Sequence, residues 1–299
     1  MLRKAVEIRQ EVPSGEYTEA YQALVTERLD TLMSVGILAG VLRFQGKYEE
    51  AEVMNRRALD GREKALGADH PDTLTSVGNL ALVLGDQGKY GEAEVMNRRA
   101  LDGREKALGA DHPSTLTSVS NLAGVLGDQG KYEEAEVMNR RALDGYEKAL
   151  GADHPSTLTS VSNLAGVLGD RGKYEEAEVM NRRALDGYEK ALGVDHPDTL
   201  TSVGNLAIVL GDRGKYEEAE VMNRRALDGY QKGLGADHPD TLTSIYNLAY
   251  LYQEQDRFEE ADQYYLTALD GYKKVLGPAH PITLACEGHY TSLRERIMN

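Results

Sequence analysis

The sequence predicts an all-α fold built as a stack of antiparallel helix pairs, on three observations. The chain repeats itself with a step of 42 residues: "YEEAEVMNRRALDGYEKALG" begins at Tyr132 and again at Tyr174, and His70, His112, His154, His196, His238 and His280 keep the same step, each followed by proline. Within a period, apolar residues recur at spacings of three and four along two separate stretches, not in the alternation of a strand. Gly or "DHP" marks the end of each stretch. A fixed period of this length signals units that bury their apolar faces only by stacking on one another.

One period, residues 72–113, justifies each element. Leu74, Val77, Leu80, Ala81 and Leu84 form the stripe of a first helix, which Gly88 stops. Ala93, Met96, Ala100, Leu101, Ala107 and Leu108 form the stripe of a second, closed by Gly109. The "DHP" segment then turns the chain, and Asp72 or Ser114 is suited to start the next first helix. Glu94 with Arg98 and Asp102 with Lys106 stand four apart, worth ~0.3 kcal/mol per pair on an exposed side. Gly61, Gly103, Gly145, Gly187, Gly229 and Gly271 fall inside the second helices, where each costs ~1 kcal/mol relative to Ala, so a close helix approach or a bend is expected there. Six such units are expected at 30–71, 72–113, 114–155, 156–197, 198–239 and 240–281. Residues 1–29, where "VPSGEY" interrupts two short helical patterns, read as N-terminal cap or linker helices. Residues 282–299 read as a C-terminal capping helix, with Glu287 and Arg294 at places that are apolar in the units.

Composition sets the outer limits. The 299 residues carry 49 acidic and 34 basic side chains, a formal charge of -15, which disfavours nucleic acid and anionic membrane as partners. No apolar run approaches the ~20 residues of a membrane helix, and "MLRKAVEIRQEVPSG" is no signal peptide, so a cytoplasmic location is expected. The single cysteine, Cys286, cannot form an internal disulfide and reads as a small buried side chain.

The spacing of Val77, Leu80, Ala81, Leu84, Ala93, Asn97 and Ala100 resembles the tetratricopeptide pattern, although most of its aromatics are replaced. The longer unit with "LGADHPDT" between helix pairs is similar to the kinesin light chain type, and to the sensor arrays of fungal NLR-like (NB-ARC or NACHT) proteins. The resemblance implies a right-handed superhelical solenoid whose first helices line a concave groove for an extended peptide. Where that pattern has an aromatic in the second helix, this chain has Asn55, Asn97, Asn139, Asn181 and Asn223, and only Tyr265 restores it, so different packing is expected.

Catalysis finds no support. Asp111, His112 and Ser114 are neighbours in one turn and cannot converge as nucleophile, base and orienter, and histidines one unit apart are too far separated to share a metal. No cofactor or metal is expected. The Arg98–Arg99 pair and its copies read as part of a solvated, salt-bridged face beside the Glu row, and the ladder of Met54, Met96, Met138, Met180 and Met222 as core filler.

Recognition has better candidates. Asn79, Asn121, Asn163, Asn205 and Asn247 sit in the first helices on the side that the resemblance assigns to the groove. An amide there can hold a peptide backbone or join one repeat to the next. Copies that agree at nearly every place differ along one face: Gly78, Ser120, Ser162, Gly204 and Tyr246 in one row, Leu82, Gly124, Gly166, Ile208 and Tyr250 in the next. Most remaining differences are at helix starts (Asp72, Ser114), in the turn (Gln129, Arg171) or at Arg104 versus Tyr146. A constant scaffold with a variable face is how a recognition surface is tuned. Asp86, Asp128, Asp170, Asp212 and Glu254 give the groove an acidic floor, which points to neutral or cationic protein or peptide segments rather than the aromatic-acidic cargo of kinesin light chains. Tyr246 and Tyr250, one turn apart, are candidates for an anchor, or else pack against the cap near Tyr290. The other function class open to this sequence is a self-assembling spacer.

Overall fold

A computed structural model describes the backbone of residues 14–298 and the side chains of residues 29–298. What the sequence predicts for residues 1–13 lies outside the described residues. Among the described residues there are thirteen helices and no strand: α1 (Ser14–Phe44), α2 (Tyr48–Leu66), α3 (Pro71–Asp86), α4 (Tyr90–Leu108), α5 (Pro113–Asp128), α6 (Tyr132–Leu150), α7 (Pro155–Asp170), α8 (Tyr174–Leu192), α9 (Pro197–Asp212), α10 (Tyr216–Leu234), α11 (Pro239–Glu254), α12 (Phe258–Val275) and α13 (Pro281–Met298). The chain divides into two compact units, residues 1–110 and 111–299. In the first, α1 packs on α2, α2 on α3 and α3 on α4. In the second, four helix pairs follow one another, each second helix also packing on the next first helix, and α12 packs on α13.

The apolar periodicity places the core. In α7, Leu158, Val161, Leu164, Ala165 and Leu168 are all buried, and in α8 Ala177, Ala184 and Tyr188 meet them. Each fully buried Leu contributes ~1.5–3 kcal/mol. The glycines inside the second helices mark a close approach: a Cβ on Gly187 would lie 2.4 Å from Cδ2 of Leu158, and one on Gly103 2.6 Å from Cδ2 of Leu74. The helix gives up propensity there so that a fully buried leucine can lie against its backbone.

Each pair closes with the same devices. At Gly172 φ is +71°, and the amide of Lys173 donates to the carbonyl of Leu168, the 6→1 bond that ends a first helix. The second helix ends at Gly193 with φ 92° and ψ 163°, a region essentially confined to glycine. The buried hydroxyl of Thr199 donates to the freed Gly193 carbonyl at 2.8 Å. The helix start differs from expectation. The N-cap is the histidine, not Asp72 or Ser114: Nδ1 of His70 accepts from the amide of Asp72 at 3.2 Å, and Nδ1 of His112 from Ser114 at 3.1 Å. Because Nδ1 is an acceptor here, the 3.8 Å approach of the Asp72 carboxylate to it is not an ion pair.

Two further contacts were not anticipated. Tyr146, Tyr188, Tyr230 and Tyr272 are buried, their hydroxyls bonded to those of Thr117, Thr159, Thr201 and Thr243 at 2.7–2.9 Å. The Glu row is not a wholly solvated face either. Glu178 is only 6% exposed and is held by Arg182 in its own helix and by Arg213 and Lys215 from the turn of the next pair. Burial alone would raise its carboxyl, but the bonds from Lys215, Arg182 and Arg213 outweigh burial and hold it at about 2. Glu136 does the same with Lys173, Arg140 and Arg171. These carboxylates tie consecutive pairs together. The i,i+4 pairs expected in α4 form, Glu94 with Arg98 at 2.8 Å and Asp102 with Lys106 at 2.6 Å.

The ends also depart from the repeat. Helix α1 runs unbroken from Ser14 to Phe44, so the boundary expected between residues 29 and 30 falls inside one helix. At the other end, α13 buries Thr283, Cys286 and Leu293, while Glu287 pairs with Lys273 at 2.8 Å and Arg294 with Asp262 at 2.9 Å. Burial pushes the Cys286 thiol up to about 11.

Candidate functional site

Within residues 111–299, two clefts open between consecutive first helices. Their shape follows from spacing, since residues four apart on a helix share a face. Ser162, Gly166 and Asp170 on α7 and Ser120, Gly124 and Asp128 on α5 face a cleft of about 540 Å³, with Tyr132 and Asn139 of α6 also lining it. Small side chains make it wide. The second cleft, about 210 Å³, lies between α9 and α11, where Ile208 and Tyr250 stand at the places of Gly124 and Gly166. Asp212 and Glu254 line it, together with Tyr174, Tyr216 and Asn223.

The predicted site residues distribute as follows. Asn163, Asp128 and Asp170 line the wide cleft, and Asn247, Ile208 and Tyr250 the narrow one. Asn205 faces a separate depression of about 130 Å³ with Gly204, Tyr230 and Ser244, which Asn247 also borders. Asn121 is half-buried in α5 and lines none of these clefts. In residues 1–110, Asn79 and Leu82 are half-buried on α3, and the backbone carbonyl of Asn79 accepts from the side-chain Nδ2 of Asn55 at 3.4 Å. Tyr246 and Tyr250 part company. The Tyr246 ring stacks on His289 of α13 at 5.7 Å, meets Tyr265 edge-on at 5.8 Å, and bonds His289 Nδ1 through its hydroxyl. Burial pushes that hydroxyl up to about 12. Tyr250 stays 43% exposed in the cleft.

Sequence reasoning missed the asparagines of the second helices as part of a site. Asn139 and Asn223 are each 3% exposed, yet they line the wide and the narrow cleft. The signal was present: a polar residue at a place where the tetratricopeptide pattern buries an aromatic.

The electrostatics of the clefts are one-sided. Burial raises the carboxyl of Asp170, and burial together with the charges of Glu254 and Asp170 raises that of Asp212. In contrast to Asp86, which Arg43 pairs, no cation among the described residues pairs with Asp170, Asp212 or Glu254. Tyr250 is raised by burial and then by Glu254, Asp212, Tyr174 and Tyr216, the groups that share its cleft.

The helix pairs, their period and their first-helix clefts meet the pattern described as tetratricopeptide repeat, which matches six overlapping stretches: residues 29–106, 78–148, 114–190, 157–232, 205–274 and 240–294. The chain belongs to the tetratricopeptide repeat family. Among solved structures, this tetratricopeptide chain is similar to a kinesin light chain-like protein of Podosopora anserina with nearly identical TPR-like repeats. Identity is 28% with a TM-score of 0.57, over 69% of this chain and 97% of the other. It is similar in fold to BtubC (BKLC) from P. vanneervenii, at 22% identity and TM-score 0.57 over 79% and 92% of the two chains. It is also similar in fold to a Rap protein complexed with Competence and Sporulation Factor, at 13% identity and TM-score 0.62 over 88% and 75%. No curated protein matches the chain. No helix among the described residues is long and apolar enough to cross a membrane.

Proposed function

We propose that this tetratricopeptide chain is a non-catalytic recognition module, a sensor or adaptor that holds an extended protein or peptide segment in the clefts between its first helices. One observation carries the reading. Among the positions at which near-identical units differ, Ser120, Gly124, Ser162, Gly166, Ile208 and Tyr250 line the clefts. Positions that hold a fold together have reason to stay constant, while those that choose a partner have reason to change. The unpaired Asp170, Asp212 and Glu254 favour a neutral or cationic segment. The Rap protein complexed with Competence and Sporulation Factor lends support, as a chain of the same fold holding a partner.

Filling the wide cleft tests this. A Cβ added at Gly124 or Gly166 would meet no atom within 4 Å, so Gly124→Gln with Gly166→Gln leaves the helices intact. Capture of partners from a native lysate is expected to fall with this pair and to persist with Val179→Gln, a change at a 62% exposed valine outside the clefts. An unchanged set of captured proteins with the cleft filled would sink the reading.

A second reading, the self-assembling spacer, draws on α1, which leaves Ile37, Leu38, Val41 and Phe44 exposed. It predicts association through that face that grows with protein concentration and is abolished by Ile37→Glu with Phe44→Glu, as sedimentation would show.

A further inference from the structure

The narrow cleft between α9 and α11 is acidic: two carboxylates and no basic side chain stand among the residues that line it. Asp212 and Glu254 bring carboxylates to it, and no cation among the described residues pairs with either. At its wall Asn223 is 3% exposed and its side-chain oxygen has no hydrogen-bond partner. A buried acceptor left without a partner is costly, and a donor brought by a ligand would relieve it. The tyrosines Tyr174, Tyr216 and Tyr250 supply aromatic walls around these acceptors.

We propose that this cleft is a socket for an arginine side chain of the bound segment. The inference rests on the peptide-recognition reading above and names what that segment must carry. A guanidinium offers five N–H donors in a flat fork and no acceptor, matching a site with two carboxylates, an unpartnered amide oxygen and no cation. Its planar face stacks on aromatic rings, whereas an ammonium is a compact point charge with three donors and a stronger hydration shell. The charge also answers the crowding of carboxylates: Asp212 is raised by burial and by Glu254 and Asp170, and a cation between Asp212 and Glu254 would offset that repulsion. At about 210 Å³ the cleft admits one side chain rather than a folded element. The wide cleft also carries two carboxylates, Asp128 and Asp170, but at about 540 Å³, with Ser and Gly on its helices and the single tyrosine Tyr132, it has room for backbone and lacks the aromatic walls that would hold one planar side chain.

The test is a selection of random dodecapeptides on the intact chain, followed by affinity measurement on the winners. Enriched peptides are expected to share an arginine. Replacing it by citrulline, which keeps the shape and removes the charge, should weaken binding at least about tenfold, the loss of one charge-assisted hydrogen bond or more. Asp212→Asn with Glu254→Gln should remove the difference between the arginine and citrulline forms. The neutral pair removes repulsion and so leaves the chain folded, which circular dichroism verifies. Peptides that bind in the clefts without a shared arginine, or whose citrulline forms bind equally well, would overturn the socket and leave peptide recognition standing. If no peptide is enriched, or if binding survives Gly124→Gln with Gly166→Gln as well as the Asp212 and Glu254 changes, both the socket and the recognition reading fall.

Discussion

His280 shows how one side chain couples a helix to pH. Its Nδ1 accepts from the amide of Ile282 at 3.3 Å at the start of α13, a bond that only the neutral ring can accept. Burial lowers its pKa below the ordinary 6.5. The sign follows: a depressed folded pKa makes the contribution fully present above about 6.5 and lost as pH falls through the lower folded value. His280→Asn puts a non-titrating cap in the same place. We expect the wild type to lose about 2 °C more than H280N in melting temperature between pH 7.5 and pH 5, the equivalent of ~0.5–1 kcal/mol. Parallel pH profiles for the two proteins would refute the cap's role. This cap was not legible in the sequence because Asp72 and Ser114, the residue types that cap helices best, stand two positions on and drew the assignment to themselves. Side-chain chemistry at a turn depends on which backbone amide a ring can reach, and residue type does not give that.

At the scale of the element, the second helix carries its meaning at Gly187. A methyl there would gain ~1 kcal/mol of helix propensity, but it would lie 2.4 Å from Cδ2 of Leu158, which is 1% exposed and would have to shift within the core. Overpacking a core costs ~1–3 kcal/mol. Gly187→Ala is therefore expected to lower stability to urea by about 1 kcal/mol. Gly166→Ala, on the first helix with nothing within 4 Å of the added Cβ, should raise it by about 1 kcal/mol. If both changes stabilise, the close approach is not what holds the pair together. Helices, their pairing and this close approach were legible because each rests on a local pattern: a 3.6-residue stripe, a Gly stop, or a costly Gly that needs compensation. The cross-helix contacts were not. The change from Arg104 to Tyr146 carries no sign in sequence of a cross-helix contact, yet Tyr146 is buried and bonded to Thr117. Glu178 reads as one of a solvated row until the next pair brings Arg213 and Lys215 over it. The cleft is half legible: the variable rows of the first helices mark it, while Asn139 and Asn223 read in sequence as a departure in packing.

At the scale of the whole chain, identical contacts make interior pairs exchangeable and the end irreplaceable. Removing residues 156–197 deletes one period and brings α6 against α9. Glu136 would then meet Arg213 and Lys215, as Glu178 does now, in place of Arg171 and Lys173. The new junction repeats an existing one, so the remaining pairs keep their neighbours. Removing residues 281–299 has no such substitute. It uncovers Tyr265 and Leu269, now 0% and 5% exposed, and takes Cys286 and Leu293 from the same core. Each such side chain contributes ~1.5–3 kcal/mol by its burial, so the truncated chain should melt at least about 5 °C lower and aggregate at lower concentration. The chain lacking residues 156–197 should lose less than this and unfold in one transition. Melting followed by circular dichroism, with light scattering for solubility, separates the cases. An interior deletion that unfolds the protein while loss of α13 leaves it unchanged would mean that the pairs are not interchangeable, and that stability is not passed from neighbour to neighbour through contacts such as those of Glu136 and Glu178.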